Sequence, residues 1–347
     1  FGACKILMET LSQTLRDKAN QFLIQNGVLE HAFLDLRQVP PNEALKKWLS
    51  AGNAGSMQWM KRTENKRINA LAAFPQFPCA LLCSLSYYDI ENVKNSSKNR
   101  ISIYAQGRDY HKVLGKILKH CLTHLQNSEN SLEGRFYVDT GPVSEKFLAS
   151  HTKLGWIGKS TNLTHPRHGS FFFLGILFLN RQCDDYAPTQ NHCGTCVRCL
   201  VACPTSALYE PYKIDARKCI SYQTIENKSI TPQYLVPENE PWLYGCDECQ
   251  SVCPYNRFSK PTPIDDFKTR PNYDLDHFLE LDELQFLKEF EGSPIRRIGY
   301  NKFMQNLLLL VSRMGDAKQM EKASMLCKKN PSLEAIEPLL HSGSKLE

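Results

Sequence analysis

Four cysteines spaced C-x2-C-x2-C-x3-C-P, at Cys193, Cys196, Cys199 and Cys203-Pro204, constrain this chain more than any other feature. This is the bacterial ferredoxin run, in which the fourth cysteine serves a second 4Fe-4S cluster. A second run, Cys246, Cys249 and Cys253-Pro254, spells C-x2-C-x3-C-P, and Leu243 stands where its first cysteine would fall. One ligand must come from elsewhere, and Cys219, between the runs, is the natural substitute. Cys193, Cys196, Cys199 and Cys253 then hold one cluster, while Cys203, Cys219, Cys246 and Cys249 hold the other. Two-residue loops let backbone amides turn toward the sulfurs, and the prolines steer the chain away afterwards. Pairs of C-x2-C also build zinc knuckles, but the four-cysteine run with its terminal proline points to clusters. Cys4, Cys79, Cys83, Cys121 and Cys327 are scattered and read as packing residues.

The module accounts for a small part of 347 residues, and 42% apolar content is ample for a further core. Phe171 to Leu179 is the longest largely apolar run, far short of the roughly 20 residues a spanning helix needs. Phe1 to Leu15 has neither the apolar core nor the cleavage site of a signal peptide, so a cytoplasmic, non-membrane protein is expected. Many cysteines without a secretion signal also fit metal ligation better than disulfides. The net charge of +6 is unevenly spread: Lys94 to His120 holds seven Lys or Arg against one acid, Asp109. Such a stretch can hold phosphates, or it can be a solvated helix face.

Residues 9–180 alternate strand and helix signals. After a short apolar piece around His31 to Leu36, the stretches Phe77 to Tyr88, Arg135 to Asp139 and Phe171 to Asn180 predict strands. Asn42 to Ser50, Asp109 to Gln126 and Ser144 to Lys153 predict helices. The alternation predicts an α/β domain, a sheet covered by helices. From Arg181 to about residue 262, Cys, Pro and Gly dominate and apolar periodicity lapses, as in a ferredoxin-like module held by its clusters. An acidic piece then leads into a helical pattern, with Phe303, Leu307, Leu308 and Val311 on one face, so 263–347 reads as a small helical domain. Two helical hairpins of a solenoid type fit its length.

Ahead of the cysteines, Tyr137-Val138-Asp139-Thr140-Gly141-Pro142 puts an acid at a strand end beside a glycine, and Gly155 to Asn162 follows. An acid there can face a cofactor, though Asp before Thr-Gly is also a common turn residue. With Tyr104 to His111, both cysteine runs and Gly292-Ser-Pro-Ile-Arg-Arg297, these blocks resemble, in order, the epoxyqueuosine reductases of tRNA modification. The resemblance runs from about Leu11 to Gly315. It implies cobalamin on the α/β domain, two 4Fe-4S clusters in the ferredoxin-like domain, and HEAT/armadillo-like helices contacting tRNA. It further implies reduction of epoxyqueuosine to queuosine at wobble position 34 of a tRNA anticodon, with electrons passing from the clusters to cobalamin. Asp139 would be the proton donor, kept protonated by burial beside the corrin. By position, cobalamin contacts carry over to Arg62, Tyr104, Asp139, Ile157, Lys159, Leu163, Ser221, Gln223 and Asp247. The corrinoid motif D-x-H-x-x-G is missed by one residue, since three residues separate His111 from Gly115. The resemblance implies a cobalt without a histidine ligand. The electron donor is unidentified, and a monomer is expected.

The rival from the same cofactor class is a corrinoid, iron-sulfur reductive dehalogenase acting on small molecules. Such enzymes are typically exported behind a twin-arginine leader and lack a basic helical tail. The cysteine assignment is directly testable. Cys253→Ala should damage the cluster held mainly by the first run, and Cys219→Ala the other, as read by iron counts and EPR. Loss of the opposite cluster alone would refute it.

Overall fold

The computed structural model describes residues 8–238, 241–268 and 274–341. Cys4 lies outside them, as does the end of the C-terminal tail. Four strands form one sheet in the order β1-β2-β6-β3: β1 Glu30–Asp35, β2 Cys79–Ser86, β6 Phe172–Leu179 and β3 Gly134–Tyr137. Every pairing in it is antiparallel. A hairpin of β4 Trp156–Ile157 and β5 Leu163–Thr164 stands apart.

The unbroken apolar runs of β2 and β6 follow from burial on both faces, with side chains alternating between two cores. Leu81, Cys83, Leu85, Phe173, Leu177 and Leu179 face one, against helices Gln13–Gln25 and Tyr110–Gln126. Ala80, Leu82, Phe172, Ile176 and Phe178 face the other, which includes Leu148 and Ala149 of the short helix Glu145–Ala149. Each buried Leu or Phe contributes about 1.5–3 kcal/mol. Helix Tyr110–Gln126 buries Leu114, Leu118, Cys121 and Leu125, one stripe at helical spacing. Gly175 admits that stripe, because a Cβ there would lie 2.8 Å from Leu118 Cδ1. The helix predicted to reach Lys153 stops at Ala149. The hydroxyls of Ser150 and Thr152 donate to the carbonyls of Phe147 and Ala149, each at 2.7 Å, and close the last turn.

The segment that follows the cluster region begins by packing on the sheet. Phe267 is fully buried in the sheet core, 5.0 Å from the Phe173 ring. Asn92 Nδ2 donates to its carbonyl at 2.8 Å, and the Arg108 N–H donates to the Asp266 carbonyl at 2.7 Å. The helical pattern is borne out farther on, in Tyr300–Met314 and Ala317–Lys329. Their core takes in Ile101 and Ala105 from the first domain and Ile225, Leu243 and Tyr244 from the cluster region. Asn306, buried in that core, donates to the carbonyls of Thr224 (2.9 Å) and Leu243 (3.0 Å), tying helix to module. No helix among the described residues is long and apolar enough to cross a membrane.

If Phe267 is a sheet-core residue, Phe267→Ala should cost about 3–5 kcal/mol in chemical denaturation. A loss below about 1 kcal/mol would detach this segment from the core.

Candidate functional site

The eight cysteines of the two runs and Cys219 are all free thiols. Cys193, Cys196, Cys199 and Cys253 line one cavity of about 250 Å³, together with Trp156 and Lys159. The Trp156 indole donates to Cys193 Sγ at 3.4 Å. Burial raises the Cys199 thiol, and Cys193, Cys253 and Cys196 raise it further by their charge. The other thiols form a second group. Cys249 is raised by burial, then by Cys219 and Cys203, and Cys246 by burial, then by Cys249 and Cys219. Thiols so crowded that each disfavours its neighbour's ionisation are a donor set made for a cationic cluster core. Backbone N–H groups already point at the sulfurs: those of Tyr222 and Ser221 at Cys219, of Glu248 at Cys246, and of Tyr255 and Asn256 at Cys253.

Beside the second group opens a cavity of about 890 Å³. Its wall includes Trp48, Trp59, Tyr104, Tyr110, Phe172, Phe173 and Leu174, an apolar and aromatic surface of the kind that accepts a flat macrocycle. Five residues carried over as cobalamin contacts line it: Tyr104, Asp139, Ile157, Leu163 and Ser221. The other four are held elsewhere. Arg62 is exposed, ending the short helix Gln58–Arg62 whose Trp59 and Met60 reach the wall. Lys159 Nζ donates to the carbonyls of Gly194 (2.6 Å) and Cys196 (3.0 Å), bracing the first cysteine loop. Gln223 is buried, its amide donating to the Arg217 carbonyl and accepting from Asn227 at 2.6 Å. Asp247 is buried under Ser96, Ser102 and the N–H of Ile103 (2.7 Å), so its carboxylate clamps two loops. Burial raises it to about 6 against the pull of those donors.

Asp139 lies two residues beyond β3 with φ at +61°, a left-handed conformation that few non-glycine residues adopt. The turn is fastened around it. Arg67, buried, donates to the carbonyls of Gly141 and Val143, each at 2.9 Å, and the Asp139 N–H donates to Glu145 Oε1 at 2.8 Å. The Asp139 side chain stays 58% exposed because it faces the cavity. Tyr110 Oη donates to its Oδ2 at 2.8 Å, and His111 Nε2 lies 3.5 Å from the same oxygen.

These contacts favour the charged form of the acid. Burial does push the Asp139 carboxyl up, but His111 and Tyr110 outweigh it and hold it at about 2, ionised rather than protonated. Glu145 goes the other way: burial, then the charge of Asp139, raises it to about 8. His111 is lowered by burial but raised more by Asp109 and Asp139, to about 9. Sequence reading missed Tyr110, His111, Glu145 and Arg67 as partners of this acid. Only the Asp109-Tyr-His111 block carried a signal, and it was set aside as a failed cobalt motif.

Known proteins match this arrangement along most of the chain. The family model described as 4Fe-4S double cluster binding domain matches residues 192–256, and so the chain carries such a domain. The model described as Epoxyqueuosine reductase QueG, DUF1730 matches residues 67–140, which hold β2 and the strand end with Asp139. An epoxyqueuosine reductase of Gloeobacter violaceus is 39% identical over 283 residues, covering 79% of this chain and 88% of that protein. One of Pseudomonas aeruginosa is 37% identical over 306 residues, covering 86% and 84%. A crystal structure of epoxyqueuosine reductase with an epoxyqueuosine-modified tRNA-Tyr stem loop superposes with a TM-score of 0.82. It is 21% identical and covers 96% of this chain and 91% of that one, which establishes the fold. With relatives this similar spanning most of both sequences, the chain belongs to the epoxyqueuosine reductase family.

Proposed function

We propose that the protein is an oxidoreductase that converts epoxyqueuosine to queuosine at wobble position 34 of tRNA. One observation carries the reading: a single cavity has an acid fastened into one wall and the second thiol group behind another. Ser221, two residues after Cys219, lines the cavity. So does Asn162, whose amide donates to Cys249 Sγ at 3.8 Å. The cluster of Cys203, Cys219, Cys246 and Cys249 is thus the inner one, and that of Cys193, Cys196, Cys199 and Cys253 the outer. Electrons from a donor outside the chain would enter through the outer cluster and leave through the inner.

Removing an epoxide oxygen as water takes two electrons and two protons and leaves a carbon–carbon double bond. When bound, cobalamin supplies the low-potential centre that delivers the electrons to the substrate carbon. The residues that would hold it are the cavity-lining Tyr104, Ile157, Leu163 and Ser221, with Trp48 and Trp59. The chain's own task is to exclude water, orient the base and bring protons to the oxygen, and Asp139 is the group placed to hand them over. A base in an anticodon loop can be splayed out into such a cavity. Phosphates would meet the exposed lysines Lys112, Lys116 and Lys119, and Arg296 and Arg297. A dehalogenase-type reaction on small molecules needs no such basic rim. We take the domains to be 9–180 for cobalamin, 181–262 for the clusters and 263–347 as HEAT-like helices for tRNA, in a cytoplasmic monomer.

Nucleoside analysis of tRNA from a strain lacking the protein should show epoxyqueuosine in place of queuosine; unchanged queuosine would end the proposal. Asp139→Asn should retain cobalamin and both clusters, while turnover falls by a factor on the order of 100 or more. Loss of cobalamin together with activity would make Asp139 a binding residue instead.

A further inference from the structure

We propose that His111 is the proton store of this site, re-protonating Asp139 so that Asp139 can deliver protons to the oxygen leaving the substrate. The inference rests on the function proposed above and adds a residue to it. An ionised Asp139 has nothing to give, so a proton must reach it from a neighbour. Six groups face its carboxylate or its loop, among them Arg67, whose guanidinium is spent on the carbonyls of Gly141 and Val143, and Lys146, whose ammonium donates to the Thr161 carbonyl rather than to the carboxylate. Tyr110 donates a hydrogen bond, but burial pushes its phenol far above the range in which it gives up a proton. Glu145 turns its oxygen to the backbone N–H of Asp139 rather than to the carboxylate. Arg297, whose charge lowers Asp139, does not deprotonate in proteins. His111 remains.

The geometry around His111 is that of an oriented imidazole. Its Nδ1 lies 2.7 Å from Asp109 Oδ1. Asp109 is itself fixed, because Oδ1 caps helix Tyr110–Gln126 by accepting the His111 N–H at 3.0 Å, and the Asp109 N–H donates to the Gly292 carbonyl at 2.8 Å. A carboxylate on Nδ1 places one ring proton there and the other on Nε2, the logic of an acid–imidazole couple in hydrolases. That Nε2 is buried, has no partner at hydrogen-bond length, and lies 3.5 Å from Asp139 Oδ2. A closure of under about 1 Å completes the bond, and such contacts commonly tighten only when substrate is bound. The Tyr110 ring stacks on His111 at 4.1 Å and on Phe173 at 4.2 Å, walling the pair from solvent on that side.

In each delivery the Nε2–H bond breaks as an O–H bond forms on Asp139, and that bond breaks as the oxygen of the opened epoxide takes the proton. Two deliveries release water. The two electrons come from the external reductant through the clusters, and His111 refills from solvent. The charged groups acting on His111 are Asp109 on its own helix and Asp139 on the turn after β3. Lys112 acts on Asp109, Arg297 on Tyr110 and Asp139, and Glu145 sits behind Asp139. Since both carboxylates raise the folded value of His111 to about 9, the store is full below that pH and empties as pH rises through it.

Asp109→Asn tests this, because Asn still caps the helix but removes the charge that holds the imidazolium. Histidine C2–H deuterium exchange can be read by mass spectrometry on the tryptic peptide Asp109–Lys112, which contains no other histidine. The midpoint should lie near 9 in the native protein, at least about two units lower in Asp109→Asn, and lowered in Asp139→Asn as well. A native midpoint near the ordinary histidine value would overturn the proposal, whether or not the protein acts on tRNA. In turnover of epoxyqueuosine-containing tRNA, Asp109→Asn should stay within about threefold of native at pH 6 and fall at least about tenfold at pH 8. An equal loss at both pH values would reduce His111 to a packing residue. Absence of any turnover in the native protein would instead count against the proposed function, and the exchange midpoints would still decide the state of His111.

Discussion

Two cuboidal clusters demand eight thiolates in two sets of four, and on the assignment proposed here each set comes from distant segments. Cys253 would then fold back onto the loop of Cys193, Cys196 and Cys199, and Cys203 would cross to Cys219, Cys246 and Cys249. Crowded thiolates repel one another until a metal core neutralises them, so the region from Cys193 to Cys253 has little to hold it without support from outside. That support is visible. Trp156 and Lys159, from the β4–β5 hairpin of the first domain, bind the outer loop through Cys193 Sγ and the carbonyls of Gly194 and Cys196. Asn306 of the C-terminal helix holds the backbone beyond Cys219 and before Cys246. The hairpin, which also lines the cavity through Ile157 and Leu163, and the helix of Asn306 are thus buttresses of the cluster module.

The same dependence explains what could be seen in the sequence. The strands β2 and β6, helix Tyr110–Gln126 and the cysteine sets are local or periodic signals, written in short spacings that burial on one or two faces enforces. The antiparallel order of the sheet was not legible, because strand and helix alternation is compatible with several connections. Nor was the packing of the segment just after residue 263, where a single aromatic, Phe267, joins the sheet core. The protein contacts of Lys159 and Asp247 were equally hidden: one braces the outer cysteine loop, the other clamps the loop of Ser102 and Ile103.

The partners that set the charge of Asp139 were likewise hidden in the sequence. An acid at the lip of an apolar cavity reads as protonated when burial alone is weighed. His111 and Tyr110 come from a helix start far away in sequence, and only the folded chain sets them against the carboxylate. Glu145, six residues downstream, ends up as the carboxyl that keeps its proton. Two carboxylates with values pushed apart in opposite directions are the pattern expected where a site must hold charge and move protons at neutral pH.

The central claim is that the crossed cysteine sets place one cluster, and not the other, next to the cavity that takes the cofactor. The measurement that meets it most directly is microwave power saturation of the cob(II)alamin EPR signal in protein reconstituted with cobalamin, iron and sulfide and held at a potential where the clusters are reduced. The account predicts fast relaxation of that signal in the native protein, lost in Cys219→Ala and largely kept in Cys193→Ala. Relaxation that survives Cys219→Ala but is abolished by Cys193→Ala would contradict it.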